Sequence, residues 1–160
     1  MREGLLCRVC LCLERIDKVK RSEIREAVFF LAFEKMFSNE TPDEIIDMAY
    51  EADVFEMNED VENLFKAVCE KSAEADEIIT KFSEKRQFSR IPKILAAILR
   101  IAIYEMLYDD KVPDNVAISE AVILAQKFAF ENDVQFVNGL LGAFCRSRNG
   151  DNKENENTGN

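Results

Sequence analysis

Apolar side chains return at helical intervals along most of the chain. Ile24, Val28, Leu31 and Ala32 share one face after Ser22, which reads as an N-cap with Glu23 and Glu26 in the first turn. This helix is expected to end near Ser38 and Asn39. Thr41-Pro42-Asp43-Glu44 is a capping box with proline at the first helical position, so a second helix is predicted from there to about Ala52. Asn58 is suited to cap a segment in which Val61, Leu64, Phe65 and Val68 continue, after a slip near Ser72, as Ala75, Ile78, Ile79 and Phe82. One long helix or two short ones fit that pattern equally. Pro92 then precedes ILAAILRIAIYEML, Ile94 to Leu107, which is apolar on most sides and belongs in the middle of a bundle. Beyond a turn containing Pro113, Ala117, Ile118, Ala121, Val122, Ala125 and Phe128 fall on one face, and Asp133 is placed to cap a last helix ending near Arg148. The expected fold class is all-α.

That last helix contains FVNGLLGAF, Phe136 to Phe144, whose apolar face is interrupted by Asn138 and Gly139. A glycine inside a helix costs about 1 kcal/mol relative to alanine, so these two residues need a reason. Two readings stand side by side. Asn138 offers a donor and an acceptor to a base edge while Gly139 admits a close backbone; or Asn138 bonds a neighbouring helix terminus and Gly139 permits a tight helix crossing.

Composition narrows the chemistry. A chain of 160 residues with three prolines and five glycines is about one domain. No apolar run is long enough for a transmembrane span, and LLCRVCLCL, Leu5 to Leu13, is cut by Arg8 and lacks a cleavage site, so a cytoplasmic protein is expected. Five irregularly spaced cysteines suit a reducing compartment. With no histidine and no phosphate-binding glycine loop, neither a metal site, a cofactor nor an enzyme is expected.

The formal charge of −10 is unevenly spread. Residues 38–86 carry five bases against fifteen acids, whereas residues 1–37 are net +2. Lys18, Lys20, Arg21 and Arg25 therefore stand apart from the acidic middle. The cluster suits either a solvated helix start or an arm that touches phosphates. The tail NGDNKENENTGN has no apolar residue, and residues 149–160 are expected to be disordered.

The order ILRIAIYEM, a turn with V-P, VAISEAVILAQKF and QFVNGLLG resembles the NusB family of bacterial transcription antitermination factors, over Ile94 to Leu141. KRSEIREAVFFLAF is similar to the family's basic first helix. The resemblance covers residues 20–148 as one helical domain, and residues 1–19 are an extension without counterpart, of which a start at Val19 would remove residues 1–18. It implies a bundle of about six to seven helices in two sub-bundles. It also implies a non-catalytic factor binding boxA-type single-stranded RNA of nascent ribosomal transcripts, with a NusE-type ribosomal protein, in an RNA polymerase antitermination complex. Carried over, it assigns Lys20, Arg21 and Arg25 to phosphates, Phe33 and Phe136 to base stacking, and Arg100 and Asn138 to polar contacts. Gln135, where the family has lysine, joins that surface with one charge fewer. The expected site is a single cradle, with the basic start of the first helix beside the Asn138-Gly139 turn. Core burial of Phe136 and a salt bridge from Arg100 to Glu105 or Glu120 are the plainer readings of those residues. The rival for the whole chain is an acidic protein-binding adaptor or homodimer with little RNA affinity.

Overall fold

The computed structural model describes residues 20–83 and 86–155, so the expectations for residues 1–19 and for the end of the tail lie outside the described residues. The described chain forms α1 (Arg21–Lys35), α2 (Pro42–Ala52), α3 (Glu59–Glu70), α4 (Ser72–Phe82), a short 3-10 turn (Phe88–Arg90), α5 (Lys93–Tyr108), α6 (Asp114–Phe128) and α7 (Glu131–Asn155). There is no strand among the described residues.

Local chemistry sets several of these boundaries. At α2, Thr41 N–H donates to Glu44 Oε2 at 2.7 Å and Glu44 N–H donates to Thr41 Oγ1 at 3.3 Å, the reciprocal capping box read from the sequence. Asn58 Oδ1 accepts from Val61 N–H at 3.0 Å and starts α3. The α3–α4 segment is two helices: Lys71 leaves helical geometry at φ −95° and ψ 8°, and Ser72 Oγ donates back to the Cys69 carbonyl at 2.8 Å. At α1, Lys20 rather than Ser22 occupies the cap position, because the Glu23 carboxylate accepts from Lys20 N–H at 2.9 Å and closes the first turn earlier. At the other end, α7 continues past Arg148 to Asn155; extending a helix already nucleated needs no further burial.

α1, α2 and α3 pack on one another, α4 to α7 form a second group, and α1 against α5 joins the two sub-bundles. α5 is the common element. Leu95 to Leu99 are buried without interruption, followed by Ile101, Ala102 and Ile103. Each large aliphatic side chain removed from water in this way contributes roughly 1.5–3 kcal/mol. Because α5 is surrounded, polar residues near its C-terminal end must find partners inside the protein, and Glu105 is one of them.

Candidate nucleic-acid interface

α1 runs along α5 so that its first two turns meet the end of that helix. Arg25 Nε lies 2.9 Å from both carboxylate oxygens of Glu105, and its Nη1 is 3.4 Å from Glu120 Oε2 on α6. Both partners are buried, with side-chain exposures of 5% and 1%. Burial pushes the Glu105 carboxyl above the usual range, and the Arg25 hydrogen bond works against that shift. Arg25 therefore ties α1, α5 and α6 together and has no face left for a phosphate. Arg21, one turn earlier, stays half-exposed, pairs with Asp109 and comes within 4.0 Å of Glu105.

Beside this ion pair lies a cleft of about 870 Å³. α1 supplies Lys20 and Arg21, α3 supplies Asp60 and Asn63, α5 supplies Tyr104 and Tyr108, and the α5–α6 turn supplies Lys111. Neither Lys20 nor Lys111 forms an ion pair among the described residues. The two tyrosine rings stand one helical turn apart, centroids 5.5 Å from each other. Tyr108 is held by its hydroxyl, which donates to Glu74 Oε2 at 2.5 Å, and by Lys71 Nζ 5.0 Å from its ring centre. The hydrogen bond to the Glu74 carboxylate raises the Tyr108 hydroxyl above its ordinary pKa. Cations that can meet phosphates, ring faces that can receive bases, and an amide with both donor and acceptor thus share one wall-to-wall space.

The other sequence-predicted residues lie elsewhere. Phe33 is half-buried in a ladder between Phe29 and Phe37, with ring centres 6.1 and 5.0 Å away. Arg100 is bound through two nitrogens to Asp76, at 2.7 and 2.6 Å, and not to Glu105 or Glu120. Phe136 is half-buried beneath the Arg86 guanidinium, 4.8 Å from its ring centre, while Gln135 and Asn138 are exposed on α7. Gly139 is also exposed, and an added Cβ would meet nothing within 4 Å. The reading in which Gly139 permits a tight helix crossing is therefore corrected: its face is open.

These placements divide the expected cradle. α1 packs on α2, α3 and α5 and reaches α6 through Arg25 and Phe29, whereas α7 packs on α4, α5 and α6. No hydrogen bond, ion pair or ring contact joins Lys20, Arg21 or Arg25 to Gln135, Phe136 or Asn138. The basic start of α1 meets Tyr104, Tyr108 and Lys111 instead. Tyr104 was hidden in a run read as core, and Tyr108 follows directly after it; the available signal was their spacing of four at the end of α5.

The two sub-bundles define a small all-helical domain. The sequence model of the NusB family matches residues 20–146. The chain is 39% identical over 129 residues to the transcription antitermination protein NusB of Thermoanaerobacter sp. (strain X514), covering 80% of this chain and 91% of the relative. To the protein of that name from Pseudothermotoga lettingae it is 33% identical, with 80% and 92% covered. The chain belongs to the NusB family. Among solved structures, that of T. maritima NusB superposes with a TM-score of 0.71 at 27% identity, over 81% of this chain and 93% of its own. A crystal structure of antitermination factors NusB and NusE in complex with dsRNA contains a chain of the same fold, with a TM-score of 0.69 at 22% identity, over 79% and 96%. No helix among the described residues is long and apolar enough to cross a membrane.

Proposed function

We infer that this chain is a non-catalytic, cytoplasmic RNA-binding factor of transcription antitermination. It takes boxA-type single-stranded RNA of nascent ribosomal transcripts, acts with a NusE-type ribosomal protein and serves an RNA polymerase antitermination complex. Family membership supports the role, and one observation supports the place: Lys20, Arg21 and Lys111 line the same cleft as the Tyr104–Tyr108 pair.

Single strands are read by splaying bases onto aromatic planes while cations hold the backbone, at about 1–3 kcal/mol per stacked base. Asn63 and Asp60 add acceptors for base amino groups or ribose hydroxyls. Asp109 already neutralises Arg21, so a phosphate entering the cleft must displace a carboxylate. Three cations opposed by Asp60 and Asp109 give weak binding alone, which fits a factor that depends on its protein partner.

Titration of a boxA RNA at two salt concentrations, with and without the NusE-type protein, tests the reading. With about three phosphate contacts, log K is expected to fall against log salt with a slope of about −2. Tighter binding is expected with the partner present. Absence of an RNA-dependent signal in both states would favour the adaptor reading.

A further inference from the structure

The face of α1 turned away from the RNA cleft carries acids instead of bases. Between it and the α2–α3 connection runs a groove of about 390 Å³, lined by Ala27, Phe30, Val54 and Phe55 with Glu23, Glu26 and Glu56. Its apolar surface is built and held. The Phe30 and Phe55 rings stack at 6.2 Å with planes 17° apart, and Phe128 of α6 meets Phe30 edge-on at 5.2 Å. Asp53, the C-cap of α2, adopts left-handed geometry (φ 49°, ψ 40°) and turns the chain so that Val54 is left 77% exposed. Val54 and Phe30, both exposed to water, with Phe30 held in place by Phe55 and Phe128, mark a contact surface.

Charge selects the occupant. Among the described residues, Glu26 alone of the three carboxylates forms an ion pair, with Lys127 at 2.5 Å. A nucleic acid would meet three carboxylates. A second copy of this chain, net −10, would set the same acidic rim against itself across a two-fold axis. We propose that the groove is a docking site for a basic polypeptide segment that lays an apolar side chain on the Phe30–Phe55 pair while its cations meet Glu23, Glu26 and Glu56. This stands apart from the RNA reading, since the groove and the cleft share no lining residue.

The test uses the full chain and short fluorescein-labelled peptides: alternating lysine and leucine, lysine and serine, or glutamate and leucine. The lysine-leucine peptide is expected to bind at least roughly tenfold tighter than either control. Val54→Ser and Glu56→Lys are each expected to weaken it by roughly tenfold while leaving helicity and RNA affinity unchanged. Failure of that peptide to bind, equal binding of a control, or indifference to both substitutions overturns the proposal. Loss of a concentration-dependent dimer in Val54→Ser would assign the groove to a second copy. Chemical cross-links from residues 1–19 to the groove would assign it to this chain's own leading segment.

Discussion

Arg25 and Glu105, separated by 80 positions in the chain, meet as a buried ion pair in which one guanidinium nitrogen serves both carboxylate oxygens at 2.9 Å. Desolvation makes such a pair a modest source of stability when intact, yet removing one partner costs about 3–5 kcal/mol because a buried charge is left alone. Arg25→Ala is therefore expected to lower the urea midpoint sharply. The double substitution Arg25→Met with Glu105→Leu should recover much of the loss, and equilibrium unfolding of the three proteins measures both effects.

The same pair has a pH signature. Burial raises the Glu105 carboxyl above its ordinary value of 4.5, so the folded state holds this proton more tightly than the unfolded chain does. A raised pKa contributes stability that is present below the unfolded value and is lost as pH rises through the folded one. Without Arg25 the folded pKa rises further. The stability deficit of Arg25→Ala should accordingly be largest at neutral pH and shrink as the solution is acidified and Glu105 protonates. Urea titrations of both proteins across the acid range check this sign; a deficit that grows on acidification would contradict it.

Gly139 gives a prediction of the opposite kind. It lies inside α7, and an added Cβ meets nothing within 4 Å. Gly139→Ala should therefore stabilise the protein by roughly 0.5–1 kcal/mol through helix propensity. It should leave RNA affinity unchanged, because the face carrying Asn138 and Gly139 is separate from the cleft. Thermal melts and RNA titrations of the same sample read out both.

Asp53 is the one non-glycine residue with positive φ among those described, at 49°. Asp53→Gly should be tolerated or mildly stabilising, whereas Asp53→Val should cost about 1–2 kcal/mol, since a branched side chain crowds the left-handed conformation. Denaturation midpoints of the two variants give the comparison.

How far the sequence reaches depends on how local each cause is. The Thr41–Glu44 box and the Asn58 cap act within four residues, and the start of α2 and the presence of α3 were legible from them. The uninterrupted apolar stretch of α5 placed that helix at the centre of the bundle for the same reason. The inward turn of Arg25 was not legible, because its partner belongs to α5 and nothing near Arg25 in the chain distinguishes it from the exposed Arg21. The site was split for a similar reason. Motif order brought Arg21 and Asn138 into one expectation, but only packing shows that α1 and α7 both lean on α5 without these residues meeting. Tyr104 and Tyr108 went unread because periodicity says a position is apolar, not whether a neighbour covers it.

Cross-linking decides most directly where the RNA lies. A boxA strand carrying photoreactive 5-iodouridine, irradiated on the protein with its NusE-type partner, should attach to Tyr104 or Tyr108, as located by mass spectrometry of the digested adduct. Replacement of Lys20 and Lys111 by alanine should reduce that yield for every strand tested. Adducts confined to Phe136 or Phe33, with the tyrosines unmodified, would contradict a cleft built by α1, α3 and α5.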